Sequence, residues 1–316
     1  MSAPLGGIVP TIVVHGGAGR VAPEHHAEVV TGVRAAAERG RAVLVDGGDC
    51  EAAVIAAVRE LEDREVFNAG RGACMTADGR FEVDAGIMRS HDRRSGAVAA
   101  VADLADPILV ARAVMNGSRH CLLAGEGAAA FARRQGVGTF GREHLWTPKA
   151  QARYDEAIAG HAPIVGQADT VGAVAIDARG HLCVGCSTGG VLLKSAGRVG
   201  DSPLVGSGFH AAAELGAACA TGLGEAIMAH VASYTALLRA AEGIDPDEAA
   251  DEVCARVAST SVAGATATCG IILITSTGAV GVAHRSPHMS WAVAQGTETV
   301  VADLQRTLAP STARRL

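Results

Sequence analysis

A threonine near the middle of the chain has the strongest potential for chemistry. Thr170 follows Asp169 and opens an apolar run over residues 170–177 that predicts a β-strand. A threonine hydroxyl is a weak nucleophile unless a nearby base takes its proton. Cleavage of the bond before Thr170 would leave a new α-amine on the same residue, and an α-amine titrates at about 7.7–8.0. That amine could act as the base for its own side chain, which makes Thr170 a candidate catalytic residue formed by self-cleavage.

Two glycine-rich segments after this strand could complete such a site. The first, residues 197–201, carries the cation of Arg198 and the anion of Asp201 three positions apart. A zwitterionic amino acid needs a planar cation for its carboxylate and an anion for its ammonium group. The second, residues 220–225, carries glycines that let backbone N–H groups converge on a developing oxyanion. The alternatives are a surface ion pair, worth about 0–1 kcal/mol, and a plain turn between helices.

The cysteines and histidines do not follow the spacing of a known metal site. Cys183 and Cys186 lie three apart on a predicted strand, so their side chains should point to opposite faces. Eight scattered cysteines fit reduced thiols better than a disulfide framework. The segment 15–19, His-Gly-Gly-Ala-Gly, is not a complete phosphate-binding motif, and we expect His15 to have a structural role near the nucleophile. The sequence therefore predicts no catalytic metal and no organic cofactor.

Composition and charge argue against several classes of protein. Hydrophobic residues make up 49% of the 316 residues, enough for a large core, and the formal net charge is -6. An acidic chain does not favour nucleic acid or an anionic membrane as a partner. No apolar stretch reaches the roughly 18 residues of a membrane-spanning helix. The first residues have neither a basic start nor a small-residue cleavage site, so we predict a cytoplasmic protein that acts on a small molecule.

The order of the predicted elements favours a layered α+β fold. Asp49 is the expected N-cap of the second helix. Residues 136–169 are the expected linker between an α chain, 1–169, and a β chain, 170–316, which together form one domain. The predicted strands cover 8–14, 79–89, 96–101, 170–177, 180–186, 270–275 and 279–284, and the predicted helices cover 24–39, 51–62, 107–115, 122–134, 208–238 (with a possible break at 220–224) and 246–259. Hairpins followed by helices in each half place sheets inside and helices outside.

Several motifs together resemble the plant-type asparaginase and isoaspartyl aminopeptidase family of N-terminal-nucleophile hydrolases. They are Val14-His-Gly-Gly-Ala-Gly19, Phe67-Asn-Ala-Gly-Arg-Gly72, Glu82-Val-Asp-Ala85, Asp169-Thr-Val-Gly-Ala-Val174, Ser187-Thr-Gly-Gly190, Gly197-Arg-Val-Gly-Asp-Ser-Pro203 and Ala220-Thr-Gly-Leu-Gly-Glu225. The resemblance implies a four-layer αββα sandwich that hydrolyses L-asparagine and β-aspartyl dipeptides and releases L-aspartate. One alternative is the related N4-(β-N-acetylglucosaminyl)-asparaginase. An alternative of another class is an uncleaved, catalytically silent amino-acid-binding protein.

The same resemblance implies roles for individual residues. In its terms Thr170 is the nucleophile, exposed by cleavage after Asp169, and Thr188 hydrogen-bonds to it. Asn68 helps to place the nucleophile. Thr221 and Gly222 form the oxyanion hole, while Arg198 and Asp201 hold the α-carboxylate and α-amine of the substrate. The substrate-binding residues as a set are Arg198, Val199, Gly200, Asp201, Thr221, Gly222, Leu223 and Gly224.

Two further expectations come from the resemblance alone. Some family members bind a structural sodium ion through main-chain carbonyls of a loop, which here maps onto Leu61, Glu62, Arg64, Phe67, Ala69 and Arg71. The expected assembly is a homodimer of αβ heterodimers. The segment 285–290 departs from the ending that the family usually shows, so we expect it to influence substrate preference.

Overall fold

Two main β-sheets, a short two-stranded sheet and flanking helices make up the part of the chain that the computed structural model describes, residues 7–160, 170–262 and 264–306. The strands are β1 (Thr11–Gly19), β2 (Glu82–Arg89), β3 (Ser95–Ala102), β4 (Leu122–Ala124), β5 (Val171–Ile176), β6 (Leu182–Thr188), β7 (Phe209–Ala212), β8 (Gly216–Gly222), β9 (Ser261–Val262), β10 (Ala265–Thr266), β11 (Cys269–Thr275), β12 (Val280–Arg285), β13 (His288–Gln295) and β14 (Val301–Asp303). The helices are α1 (His26–Val45), α2 (Cys50–Glu62), α3 (Pro107–Gly117), α4 (Gly125–Gln135), α5 (Arg142–Leu145), α6 (Pro148–Ile158), α7 (Gly224–His230), α8 (Ala232–Ala241) and α9 (Pro246–Ala258). The expectation of a mixed helix-and-sheet protein is confirmed.

The two main sheets carry different parts of the predicted site. The large sheet has the strand order β14-β13-β1-β5-β6-β2-β3-β4 and is antiparallel except for the pair β3–β4. The small sheet has the order β12-β11-β8-β7 and is antiparallel throughout. Thr170 directly precedes β5 of the large sheet, while Thr221 and Gly222 end β8 of the small sheet. The site can therefore form only where the two sheets meet.

Three large hydrophobic cores, beside a small fourth cluster of Cys74, Ala157 and Leu192, hold the described elements together. The first joins helices α1 to α4 to the large sheet, the second joins the two sheets, and the third joins the small sheet to α7, α8 and α9. Representative members are Val33, Val54 and Ile87 in the first core, Val174, Phe209 and Ile272 in the second, and Ala218, Leu237 and Val253 in the third. Burying this much apolar surface is the main force that stabilises the fold.

Strand alternation explains where the thiols lie. Cys183 belongs to the first core and Cys186 to the second, so the two side chains occupy opposite faces of β6, as the spacing predicted. Seven cysteines are buried and free, and Cys121 is exposed. The described residues contain no group of three or more His, Cys, Asp or Glu side chains that could hold a metal ion.

Helix starts follow the expected capping chemistry. Asp49 accepts a hydrogen bond from the backbone N of Ala52 (2.8 Å) at the start of α2, which confirms its role as N-cap. Pro107 occupies the first turn of α3. No helix in the described ranges is both long and apolar enough to cross a membrane.

The expected linker contains more structure than its weak periodicity suggested. Residues 136–160 include α5 and α6, and Thr147 caps α6 by accepting a hydrogen bond from Ala150 N (3.0 Å). Thr147 followed by Pro148 is a helix-start signal that the sequence reasoning passed over. Residues 161–169, including Asp169 and the bond expected to be cut, lie outside the described residues.

The predicted helix over 208–238 is wrong in its first part and right in its second. Residues 209–222 form β7, a turn and β8, whereas α7 and α8 cover most of 224–238. All seven residues of β8 are buried, because one face lies in the sheet-to-sheet core and the other faces α8 and α9. A strand buried on both faces has no polar alternation, and its alanines carry high helix propensity. No strand was predicted at β13, which pairs with β1 and β14 and takes in part of the divergent segment 285–290.

Candidate active site

Thr170 lies at the junction of the two sheets. Its backbone N is 3.2 Å from Thr221 Oγ1, and its own Oγ1 is 3.1 Å from Ser202 Oγ. Thr170 is only 5% exposed, and Thr221 and Ser202 are buried as well. The contact with Thr221 joins the start of β5 to the end of β8. The candidate nucleophile thus has a hydroxyl partner at both of its reactive atoms.

A small cleft opens beside Thr170 and collects most of the predicted residues. It is lined by Thr170, Thr188, Gly190, Val191, Arg198, Gly200, Asp201, Ser202, Gly222 and Gly224. Four predicted residues do not line the cleft, namely Asn68, Val199, Thr221 and Leu223. The Leu223 side chain packs against the third core instead. Ser202 lines the cleft although the sequence analysis gave it no role. Its place directly after Asp201 in the motif was the available signal.

Arg198 is held by a residue to which the sequence analysis assigned no function. Its Nε lies 3.0 Å from Glu225 Oε1 and its Nη2 lies 2.8 Å from Glu225 Oε2, a bidentate pair. Burial disfavours the charge on Arg198, but Glu225 outweighs that effect and the pKa is raised. A guanidinium has five N–H donors, so N–H groups remain for the cleft. Gly200 and Gly224 leave them room, because a Cβ would lie 2.9 Å from Nη1 at Gly200 and 3.1 Å from Nη2 at Gly224.

Asp201 is a buried carboxylate with one unused oxygen. It is 3% exposed, and its Oδ2 has no hydrogen-bond partner among the described residues. Burial raises the pKa of Asp201 to about 7, Arg198 opposes this rise, and Glu225 adds to it. A buried, unpaired carboxylate is costly unless a cation joins it. The arrangement suits a ligand that carries an ammonium group beside a carboxylate.

Thr188 and Asn68 both fix the loop that follows β6. Thr188 Oγ1 accepts a hydrogen bond from Gly190 N (3.0 Å), and Asn68 Nδ2 donates to Gly190 O (2.6 Å). Asn68 Oδ1 in turn accepts from Cys74 N (2.9 Å). Because Gly190 lines the cleft, these contacts set the wall next to Thr170.

Gly222 occupies a position that only glycine fits. Its φ is +136°, and a Cβ there would lie 2.2 Å from the carbonyl oxygen of Thr268. The close approach of the Thr268 backbone therefore requires glycine at this position. Gly222 also lines the cleft beside Thr170, and its role in an oxyanion hole stays a prediction.

The loop expected to bind sodium wraps tightly around two glycines. A Cβ at Gly70 would lie 2.6 Å from Glu62 O, and one at Gly72 would lie 1.8 Å from Phe67 O. The carbonyls of Leu61, Arg64 and Ala69 accept turn hydrogen bonds within the same loop. Main-chain oxygens are the kind of ligand that a hard cation takes, and the sodium ion expected in this loop stays a prediction.

Comparison with known proteins decides the family. The model of the asparaginase family matches residues 8–302. This chain belongs to the asparaginase family. An isoaspartyl peptidase/L-asparaginase of Danio rerio is 40% identical over 292 residues, which cover 91% of this chain and 93% of the relative. The Homo sapiens protein of the same name is 38% identical over 291 residues, covering 90% and 93%. A plant-type L-asparaginase of Pyrococcus abyssi is 40% identical over 297 residues, covering 89% and 95%. The resemblance seen in the motifs is thereby confirmed.

Proposed function

We propose that this member of the asparaginase family hydrolyses the side-chain amide of L-asparagine and the isopeptide bond of β-aspartyl dipeptides, releasing L-aspartate. The decisive observation is the contact of Thr170 with Thr221 and Ser202, directly beside the Arg198–Asp201 pair. The names of relatives at 38–40% identity support the same substrates.

The enzyme binds the substrate through the carboxylate and the ammonium group on its α-carbon. Its α-carboxylate takes the Arg198 N–H groups that Glu225 leaves open, and its α-ammonium pairs with Asp201 Oδ2. Both partners lie in the cleft that Thr170 lines, so binding presents the β-carbonyl carbon to the hydroxyl. Holding the reactants in this way converts an encounter in solution into a reaction within one complex.

The chemistry uses Thr170 twice. After cleavage before Thr170, its neutral α-amine takes the proton from Oγ1, and Oγ1 attacks the β-carbonyl carbon. Thr221 and the N–H of Gly222 stabilise the oxyanion, and a donor of this kind contributes about 3–4 kcal/mol to the transition state. The amine then returns the proton to the leaving nitrogen. Water, deprotonated by the same amine, attacks the carbonyl carbon of the ester on Thr170. The amine then returns the proton to Oγ1 as the ester bond breaks and aspartate is released.

The wider organisation belongs to the same proposal. The stacking of helices, large sheet, small sheet and helices supports a four-layer αββα sandwich. Cleavage after Asp169 divides it into an α chain, 1–169, and a β chain, 170–316, within one domain. We also propose a structural sodium ion in the loop 61–71, an assembly of two αβ units, and a cytoplasmic location.

A substrate panel tests this function. Purified protein is given L-asparagine, a β-aspartyl dipeptide and a glycosylated asparagine, and released aspartate is measured for wild type and Thr170→Ala. We expect aspartate from the first two substrates with wild type and none with the variant. Hydrolysis of the glycosylated substrate alone would favour the glycosylasparaginase alternative. Binding of asparagine without any hydrolysis would favour the silent binding protein.

A further inference from the structure

We propose that His15 and Cys219 are positioning residues that fix the separation of the two sheets behind Thr170. His15 belongs to β1 of the large sheet and Cys219 to β8 of the small sheet. The Nε2 of His15 lies 3.2 Å from the Sγ of Cys219, and both residues are fully buried. This inference rests on the proposed function, because it assigns these residues to the placement of the nucleophile.

Strand geometry puts this contact next to the catalytic one. Thr170 and Gly172 are two residues apart at the start of β5, and Cys219 and Thr221 are two apart on β8, so each pair shares a face. His15 is the register partner of Gly172. The contact between Thr170 N and Thr221 Oγ1 and the contact between His15 and Cys219 are therefore successive cross-sheet contacts. Two residues along a strand correspond to about 6–7 Å.

Gly172 provides the space in which the imidazole and the thiol meet. A Cβ on Gly172 would lie 2.4 Å from Cys219 Sγ and 2.5 Å from His15 Nε2. Any side chain at this position would displace one of the two or push the sheets apart. The space that a side chain at Gly172 would fill is thus occupied by a hydrogen-bonded pair that connects the two sheets. This pair lies two residues along β5 from Thr170.

The charge state of the pair fits a positioning role. Burial lowers the pKa of His15 to about 3, and the neighbouring Thr170 backbone opposes that shift. Burial also raises the pKa of the Cys219 thiol, to which Cys186 contributes. His15 Nδ1 is buried and has no hydrogen-bond partner among the described residues. A neutral imidazole and a neutral thiol exchange no proton near neutral pH. Their contact therefore serves to hold β1 and β8 at a fixed distance.

Cys219→Ala tests the proposal on processed enzyme. Loss of the contact lets Thr170 and Thr221 drift, and a misplacement of about 1 Å costs about 100-fold in rate. We expect kcat for asparagine to fall by about 10- to 100-fold, with KM changed by less than about threefold, because Arg198 and Asp201 are untouched. A KM that rises by as much as kcat falls would overturn the proposal.

Cys254→Ala is the matched control. Cys254 is also fully buried and donates to a backbone carbonyl, that of Ala283 (3.6 Å), but it lies in the third core on the far side of the small sheet. The same truncation should lower the melting temperature in a similar way and leave kcat unchanged. If Cys219→Ala shows the kcat of Cys254→Ala, the positioning role is excluded.

Two variants of His15 test the other partner and remain informative if Cys219→Ala does not fold. The side-chain amide introduced by His15→Gln can still reach the thiol, whereas His15→Leu keeps a similar volume and loses the contact. We expect kcat of His15→Gln to exceed that of His15→Leu by at least about fivefold, and equal values would overturn the proposal. Thr170→Ala is assayed in parallel. Activity in Thr170→Ala contradicts the proposed function itself, while an inactive Thr170→Ala with unchanged Cys219→Ala contradicts only this inference.

Discussion

Substitution of single residues in the cleft distinguishes substrate binding from the catalytic step. Arg198→Ala should lower kcat/KM for β-aspartyl dipeptides by about 30-fold to several thousandfold. Removing one partner of a buried charge pair costs roughly 2–5 kcal/mol, and each 1.4 kcal/mol is tenfold. Arg198→Lys should recover only part, because Lys cannot present a planar fork to both Glu225 and the substrate. Steady-state kinetics on processed protein provide the measurement.

Arg239 provides the control for the fall in kcat/KM that Arg198→Ala should cause. Arg239 also pairs with a glutamate, with Nε 2.9 Å from Glu252 Oε2, but it lies on α8 and does not line the cleft. Arg239→Ala should leave kcat/KM unchanged. A substrate analogue without a free α-carboxylate should be affected little by Arg198→Ala. Equal slowing of both substrate types would show that Arg198 does not bind the carboxylate.

The carboxyl of Asp201 predicts how binding depends on pH. Burial raises its pKa to about 7, so the carboxyl is protonated below that pH and ionised above it. Only the ionised form pairs with an ammonium group. We therefore expect KM for asparagine to rise as pH falls below about 7, by up to about tenfold per pH unit, and to level off above it. Asp201→Asn should raise KM and remove this dependence, and a wild-type KM that stays constant from pH 5 to 8 would contradict the assignment.

Motif spacing identified the charged residues of the cleft but not their environment. Arg198 and Asp201 lie where the motifs placed them, whereas the bidentate partner Glu225 and the hydroxyl of Ser202 required the fold to bring distant segments together. Glu82 and Asp84 are both buried, which no local pattern indicates. Burial of a polar residue cannot be read from local sequence, because it depends on the sheet that packs over it.

Among the secondary-structure elements, α3 and β3 make an unusually close contact that predicts a stability difference. A Cβ at Gly96 would lie 2.1 Å from Ala111 O and 2.3 Å from Met115 N, both backbone atoms of α3. Because backbone cannot move aside cheaply, Gly96→Ala should destabilise the protein by at least the 1–3 kcal/mol typical of overpacking. Calorimetry should show a melting temperature lowered by several degrees, at roughly 2–4 °C per kcal/mol.

Gly127 provides the opposite case. It is exposed on α4, and a Cβ there would meet no heavy atom within 4 Å. Gly127→Ala should stabilise by about 0.5–1 kcal/mol, since alanine loses less backbone freedom in a helix. The two glycine-to-alanine changes should therefore shift the melting temperature in opposite directions. A shift of the same sign for both would contradict the packing described for α3 and β3.

Branched apolar strands and capped helix starts were predictable from the sequence, and the alanine-rich strand β8 was not. The fully buried strands β5 and β6 were predicted, and Asp49 and Pro107 mark the starts of two helices that were also predicted. The strand β8 carries small residues on both faces, so its pattern matched a helix and the first part of the prediction over 208–238 was wrong. Its small side chains have a structural reason. They let the small sheet approach the large sheet on one face and the helices on the other.

In the molecule as a whole, the site depends on the two main sheets, which pack against each other through the second hydrophobic core. Thr170 opens a strand of one sheet and Thr221 ends a strand of the other. The sequence motifs alone were enough to recognise the family. They could not show that these two strands meet, because the strands belong to different sheets. The backbone N of Thr170, which the proposed cleavage would convert into an amine, lies at this junction, 3.2 Å from the Thr221 hydroxyl.

N-terminal sequencing and intact-mass measurement of aged protein test whether Thr170 becomes an N-terminal nucleophile. We expect two chains, the second beginning Thr-Val-Gly-Ala, and a single uncut chain for Thr170→Ala held under the same conditions. A second chain that begins at another residue would exclude Thr170 as the exposed nucleophile. So would cleavage that persists in Thr170→Ala, because the nucleophile would then not be the residue that the cleavage exposes.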